Sequence, residues 1–312
     1  MARQPFKRVL KSMTRVHEKQ GFTGILKGFL FPWIYLMGAA VLSALIAYPL
    51  FRGFGHGDIS FFRTLVSRGG QVLLLLGLIP MARRLTMKAN DFGLMPGIAS
   101  GVARGFLLGI ITLSLHSLLL VYLGIRTIKA VNMDVLGMES VFLSALLSGV
   151  GVALLEETLF RGALIGILLR LTGPMSAIVI SAVDYAALHF IGSHWTTEPA
   201  NVGWDTGFRI ALDGFSHLPN ADPASLLALF VAGLLLGSVR LFFRGGIATS
   251  IGLHAGWVFV IKIFKPFTVI NFTSKKLWMI GVYDQVIGYG SCIWVLILLI
   301  AVLYPQMKSR RT

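Results

Sequence analysis

The sequence predicts an all-α, polytopic membrane protein with about eight transmembrane helices. Of its 312 residues, 55% are hydrophobic and only 13% are charged, whereas an average soluble domain carries about 25% charged residues. The mean hydropathy is +0.78. The apolar residues form long continuous runs, unlike the short alternating segments of a membrane β-barrel. A soluble enzyme, a disordered chain and a coiled coil are therefore excluded.

The formal net charge of +15 at pH 7 also fits a membrane protein. Lysine and arginine in cytoplasmic loops orient transmembrane helices and attract anionic lipid. We therefore expect the lipid bilayer, and not a nucleic acid, to be the partner of these charges. The single cysteine, Cys292, cannot form an internal disulfide and does not indicate a compartment.

The first third of the chain predicts a basic cytoplasmic leader over residues 1–27. It carries seven lysines or arginines and one acid, Glu18, and it has no small-residue cleavage site typical of a signal peptide. An uncleaved helix is predicted at 28–51, followed by spans at 69–82 and 98–123. Residues 69–82 are short for a bilayer, which needs about 20 residues. These helices form an N-terminal portion, 28–138, to which the sequence assigns no role.

Five further spans are predicted, at 140–169, 174–192, 224–243, 246–264 and 286–304. The first is longer than one crossing requires, so we expect either a tilted helix or a span followed by an interfacial turn. Residues 139–264 are interpreted as the functional core, and 265–312 as a final helix with a basic tail. The distribution of lysine and arginine between alternate connections favours both termini in the cytoplasm.

The long connection at 193–223 is predicted to lie on the outer side. Phe208, Leu212 and Phe215 recur in it at helical spacing, which predicts a short interfacial helix. The sequence leaves open whether this connection is a solvated link or a lid.

Two adjacent carboxylates, Glu156 and Glu157, lie within the long apolar run at 140–169. A charge at the centre of a span costs roughly 2.5–3.5 kcal/mol on insertion scales, so such residues are functional candidates. Glu157 and Arg161 are four residues apart in the favourable order for a helical ion pair. Glu156 points about 100° away and lacks that partner. We therefore interpret Glu156 as a general base, its pKa raised by desolvation, and Glu157 with Arg161 as its support.

Two later spans carry the other polar candidates. Tyr185 and His189 are four residues apart and share a helical face, and Asp184 adds a buried charge that we interpret as an orienting group or a packing residue. His254 lies at the centre of its span. Upstream of it, Gly233 and Gly237 have the G-x-x-x-G spacing that allows close helix packing.

Glu156, His189 and His254 lie on three different predicted spans that helix packing can bring together. One carboxylate and two imidazoles can polarise a water molecule, with or without a metal ion. The sequence contains no H-E-x-x-H zinc-protease signature, no G-x-S-x-G elbow, no P-loop and no dinucleotide fingerprint.

These motifs resemble those of the CPBP group of intramembrane proteases, the family of the type II CAAX prenyl endopeptidases, also called the ABI family. The resemblance covers about residues 140–262. It rests on the ordered set Glu156-Glu157-x-x-x-Arg161-Gly162, then Tyr185-x-x-x-His189, then Gly233-x-x-x-Gly237 leading to His254.

The resemblance implies hydrolysis of a peptide bond in a membrane-embedded or membrane-anchored protein or peptide. Glu156 and His189 would activate the attacking water, and His254 would stabilise the oxyanion. Members of the family are described both as metal-dependent and as glutamate-type proteases. A divalent metal such as zinc, where one is used, would be held by Glu156, His189 and His254.

Two positions depart from the family pattern. Tyr185 stands where phenylalanine is usual, and Val258 stands where asparagine or aspartate usually follows the second histidine. Loss of an oxyanion donor costs roughly 100- to 1000-fold in rate. Either His254 suffices, or another polar group substitutes, or the protein is a weak or inactive member.

Three functions therefore follow from the sequence. The leading one is an intramembrane endopeptidase. The alternative is a catalytically inactive relative that acts as a membrane scaffold or immunity-type protein. The third is a transporter with a proton relay through Glu156, Glu157 and Asp184, against which the lack of a clear inverted repeat counts.

Overall fold

The computed structural model describes residues 21–54, 58–131 and 134–308 and is mainly helical. Its α-helices, in chain order, are α1 (Gly21–Phe54), α2 (Ile59–Arg84), α3 (Ile98–Tyr122), α4 (Val135–Glu157), α5 (Ile165–Leu171), α6 (Pro174–Leu188), α7 (Thr206–Ser216), α8 (Pro223–Phe242), α9 (Ile247–Phe264) and α10 (Tyr289–Lys308). A π-helical turn, Thr158–Leu164, joins α4 to α5. Short 3-10 turns lie at Pro199–Asn201, Leu218–Asn220 and Leu277–Met279.

In the described part of the chain, six helical stretches are long and apolar enough to cross a membrane. They are Thr23–Phe54, Ile59–Arg84, Ile98–Tyr122, Val135–Leu171, Pro223–Phe242 and Ile247–Phe264, and two shorter apolar helices are Pro174–Leu188 and Tyr289–Tyr304. The eight predicted spans thus all correspond to helices, six of them of full length. The chain is a helical integral membrane protein, as predicted. The orientation of its termini and its division into portions stay predictions.

Three local features differ from the sequence expectation. The short span predicted at 69–82 is part of a 26-residue helix, α2, because helical structure continues through the polar residues before the apolar run. The long run at 140–169 belongs to one continuous helical stretch, Val135–Leu171, in line with one of its two expectations, but this stretch contains an unpredicted π-helical turn at Thr158–Leu164. A two-stranded antiparallel ribbon, β1 (Arg126–Ile128) with β2 (Thr268–Ile270), was not predicted.

Of the first predicted segment, residues 1–20 lie outside the described residues, and the first described helix begins at Gly21. The short helix predicted in the long connection is present as α7. Its buried face consists of Thr206, Gly207, Ile210 and Gly214, whereas Leu212 of the predicted apolar set is exposed.

Helices α8 and α9 form the centre of the bundle, with 61% and 67% of their spans buried. Glycines allow α3 to approach α9 closely: a Cβ at Gly105 or Gly109 would meet the backbone of α9 around Leu253 and Gly256. On α8, Gly233 lies against Ala182 of α6, and Gly237 lies against Ile178. Both glycines of the predicted G-x-x-x-G pair thus lie where α8 packs against α6.

The two ends of the bundle are held by different contacts. At one end, Arg170 forms an ion pair with Asp91 at 2.8 Å. At the other end, the β-ribbon joins the connection after α3 to the connection at 265–288, which also contacts the start of α8. The second end lies beside the polar residues of the core.

Candidate active site

The π-helical turn at Thr158–Leu164 separates the roles of the two adjacent glutamates. Glu157 is fully buried, while the Glu156 side chain is 20% exposed. A π turn leaves carbonyl groups without their usual helical partners. Ser181 donates its hydroxyl to the Phe160 carbonyl at 3.2 Å, and Arg240 donates Nε–H to the Arg161 carbonyl at 2.9 Å. These two side chains therefore stabilise the irregular backbone that carries the site.

Glu157 is the centre of a buried charged cluster. Its Oε1 atom lies 3.2 Å from Arg161 Nη1 and 3.0 Å from His254 Nδ1. Arg161 is also fully buried; its Nη2 donates to the Gly233 carbonyl at 3.4 Å, and its guanidinium lies 4.2 Å from the centre of the Tyr185 ring. The predicted ion pair of Glu157 and Arg161 is thus present, and it links α4, α8, α6 and α9.

His189 is held by its own helix. Its Nδ1 atom lies 2.6 Å from the Tyr185 carbonyl oxygen, and the two rings contact edge to face with centroids 4.4 Å apart. A carbonyl oxygen only accepts, so Nδ1 of His189 carries the hydrogen. In the neutral ring, Nε2 is then an acceptor.

The Nε2 atoms of both histidines face Glu156. Glu156 Oε2 lies 3.6 Å from His189 Nε2 and 3.9 Å from His254 Nε2. It is a buried oxygen without a hydrogen-bond partner. The three residues predicted to form the catalytic group are therefore close together, although they come from α4, the end of α6, and α9.

Two imidazole nitrogens and one carboxylate are a donor set that zinc takes in proteins. Nevertheless, among residues 21–54, 58–131 and 134–308, no group of three or more His, Cys, Asp or Glu side chains is arranged so that it could hold a metal ion. The zinc site at Glu156, His189 and His254 stays a prediction.

Two cavities meet at this group. One, of about 350 Å³, extends between α1, α2 and α7 and is lined by residues such as Leu36, Gln71 and Phe215. The other, of about 520 Å³, extends between α3, α9 and α10 and is lined by His254, Val258 and Trp294 among others. In the described chain, Glu156, His189 and Tyr283 line both cavities.

Asp184 lies away from this junction. Its carboxylate is buried and accepts a hydrogen bond at 3.0 Å from Nε1–H of Trp33 on α1. This contact joins α1 to α6, the helix whose last residue directly precedes His189. The role of Asp184 as a group that orients the site stays a prediction.

Sequence reasoning missed Tyr283, Arg240 and Ser181. Arg240 is a charged residue near the end of the span predicted at 224–243, where a position at the membrane surface is expected, but it is only 5% exposed. Tyr283 is 47% exposed and lies in the connection 265–288, outside every predicted motif. Its ring centroid is 5.7 Å from that of His189. An isolated tyrosine in a connection gives no sequence signal, and only the folded chain brings it to the site.

Comparison with known proteins supports the same part of the chain. Residues 138–260, less than half of the chain, match the family model described as type II CAAX prenyl endopeptidase Rce1-like. No curated protein and no solved structure gives a significant match. The matched segment contains Glu156, His189 and His254 and ends before Tyr283. Over residues 138–260 the chain is therefore similar to the type II CAAX prenyl endopeptidases, which confirms the family resemblance predicted from its motifs.

Proposed function

We propose that this protein is an intramembrane endopeptidase that hydrolyses a peptide bond of a membrane-associated protein. One observation carries the proposal: the unpaired, buried Oε2 of Glu156 lies 3.6 Å from the acceptor nitrogen of His189 at the junction of two cavities. A buried polar oxygen without a partner is costly for stability. Glu157 Oε2 is likewise buried without a partner, but of the two glutamates only Glu156 lines the two cavities.

A water molecule between Glu156 and His189 would use both of these atoms. The 3.6 Å separation is too long for a direct hydrogen bond. A water that bonds to both groups would lie to one side of the line that joins them. Both Glu156 Oε2 and neutral His189 Nε2 are acceptors, so each accepts a hydrogen bond from one O–H of the water. The lone pairs of the water oxygen are then free to attack a carbonyl carbon.

The proton balance assigns roles to the two residues and to His254. As the water oxygen bonds to the carbonyl carbon, Glu156 takes one proton and later gives it to the leaving amine when the C–N bond breaks. Nδ1–H of His254 donates to Glu157. Donation from Nε2 of His254 then requires a second proton on the ring. This Nε2–H donates to the oxyanion.

The two cavities support cleavage within a chain rather than at its end. An extended peptide whose scissile bond lies at Glu156 has space of about 350 Å³ on one side and about 520 Å³ on the other. Both cavities have mainly apolar walls, as suits a segment that arrives from a bilayer. The Rce1-like match supports a membrane-associated substrate of the CAAX type.

The test is cleavage by the purified full chain in proteoliposomes. Two probes are used, a farnesylated CAAX-type peptide and an unlipidated transmembrane peptide. We expect Glu156→Ala and His189→Ala to abolish cleavage of whichever probe the wild type cleaves. The controls Glu139→Ala, on the exposed start of α4, and His194→Ala, on the exposed connection, keep wild-type rates. Full activity of either site variant would refute the assignment.

The same preparation separates a glutamate-type enzyme from a metalloenzyme. The mechanism above runs on Glu156, His189 and water, so we expect a chelator to leave the rate unchanged and the active protein to contain no stoichiometric zinc. Loss of activity with the chelator, restored by zinc, would replace this mechanism with one at a metal held by the same three side chains. Even with that result, loss of cleavage in Glu156→Ala and His189→Ala would still support the peptidase function.

A further inference from the structure

Tyr283 lies at the junction of the two cavities, as do Glu156 and His189, which hold the proposed water. In the described chain it is the third residue, with Glu156 and His189, that lines both cavities. Tyr283 therefore borders the junction that a substrate passing from one cavity to the other crosses. The mechanism above uses Glu156 and His189 and leaves Tyr283 without a role.

The oxyanion of a tetrahedral intermediate accepts more than one hydrogen bond, and His254 supplies a single N–H. Val258 lies one helical turn after His254 and lines the same cavity, but its side chain has no donor. A second donor must come from another element. Tyr283 is placed to supply it, because its ring contacts that of His189 and it borders Glu156.

The connection that carries Tyr283 is anchored on both sides. Before the ring, the Val282 amide donates to Asp222 Oδ2 at 3.2 Å, and the Tyr283 amide lies 3.4 Å from the hydroxyl of buried Ser225. After it, Arg126 Nη1 donates to the Gln285 carbonyl at 3.0 Å. The backbone that carries Tyr283 is therefore fixed without help from a substrate, as the attachment point of a preorganised donor requires.

The environment of Tyr283 also keeps its proton in place. Burial, together with the carboxylates of Glu156 and Asp284, raises the pKa of Tyr283 to about 12. At neutral pH the hydroxyl is protonated and can donate a hydrogen bond but does not act as a base.

We propose that Tyr283 is a further catalytic residue, whose phenol O–H donates the second hydrogen bond to the oxyanion of the tetrahedral intermediate. The inference rests on the proposed peptidase function. No covalent bond to Tyr283 forms or breaks; the hydrogen bond strengthens as negative charge develops on the former carbonyl oxygen. The connection 265–288 thereby completes a site whose other groups lie within the family-matched segment.

The experiment compares Tyr283→Phe with Tyr289→Phe on the farnesylated and the transmembrane peptides. Tyr289 is a nearby exposed tyrosine that lines neither cavity. We expect Tyr283→Phe to lower kcat by about 100-fold, as expected for one oxyanion donor, with KM nearly unchanged. Tyr289→Phe retains the wild-type kcat. Adding Val258→Asn to Tyr283→Phe supplies a new donor in the same cavity and recovers at least about 10-fold in kcat.

The outcomes are distinguishable from failure of the proposed function. If Glu156→Ala is inactive but Tyr283→Phe keeps the wild-type kcat, the peptidase proposal stands and the role of Tyr283 is wrong. A rise in KM with unchanged kcat would make Tyr283 a substrate-binding residue and would also overturn the inference. If the wild type cleaves neither peptide, both proposals fail together. Recovery of kcat by Val258→Asn supports the donor role, because a purely structural defect would not be repaired there.

Discussion

Arg161→Met tests whether the charged cluster around Glu157 holds the core together. Arg161 and Glu157 are both fully buried, with an N–O distance of 3.2 Å. Removing one partner of a buried ion pair costs about 3–5 kcal/mol, because the other charge is left uncompensated. The substitution also removes the contacts of the Arg161 guanidinium with the Tyr185 ring and the Gly233 carbonyl. His254 Nδ1 remains on Glu157, so we expect the lower end, about 3 kcal/mol.

The double variant Glu157→Gln/Arg161→Met separates charge from packing. The double variant removes both charges. We therefore expect its loss in free energy of unfolding to be about 2 kcal/mol smaller than the summed losses of the two single variants, which is within the range for residues in contact. The matched control is Asp205–Arg209, also spaced i,i+4, with an N–O distance of 2.7 Å and side chains 63% and 62% exposed. An exposed pair contributes at most about 1 kcal/mol.

The assay is reversible unfolding in mixed micelles, with the free energy of unfolding followed by helical circular dichroism. A loss below about 1 kcal/mol for Arg161→Met, equal to that of Arg209→Met, would refute the reasoning. Additive effects of the two single core variants would also refute it, since they would mean that the two buried charges do not interact.

Two packing predictions can be measured in the same way. Gly233→Val should destabilise the protein by about 1–3 kcal/mol, because a Cβ at Gly233 lies 2.9 Å from the Ala182 backbone and side chain. The control is Gly151→Ala on α4, where a Cβ meets nothing within 4 Å. This variant should raise the free energy of unfolding by about 0.5–1 kcal/mol. Equal effects of the two substitutions would contradict the close contact of α6 and α8. Trp33→Phe should lower the stability by about 1–3 kcal/mol, because it leaves buried Asp184 without its indole donor. The control Trp278→Phe, at a 58% exposed position, should change the stability by less than about 0.5 kcal/mol. No loss for Trp33→Phe would show that the Asp184 contact does not stabilise α1.

The helical membrane fold and the buried charged pair could be predicted from the sequence because both have a large energetic signature. A run of about 20 apolar residues is long enough for a transmembrane helix and indicates one. A glutamate and an arginine four residues apart within such a run must neutralise each other. The same reasoning distinguished Glu156 from Glu157, and the structure confirms that the two side chains have different surroundings.

The remaining parts of the site depend on tertiary contacts that leave no pattern in the sequence. Arg240 looks like a loop charge, because it stands at the end of an apolar run. It is buried because its guanidinium reaches the Arg161 and Asp91 carbonyls. The π turn that frees the first of these carbonyls has no composition signal. The distance between Tyr283 and His189 depends on the anchors at Asp222 and Arg126, which are separated from Tyr283 by 61 and 157 positions in the printed sequence.

The contrast between the two glutamates explains why the site can be both stable and reactive. Glu157 Oε1 contacts Arg161 and His254, so this carboxylate contributes to the core. Glu156 is covalently adjacent and is held in place by the same backbone, yet its Oε2 has no partner within hydrogen-bond distance. The cost of keeping that oxygen unpaired is offset by the neighbouring cluster. A chain that satisfied Glu156 in the same way would be more stable, but it would have no acceptor left for a water molecule.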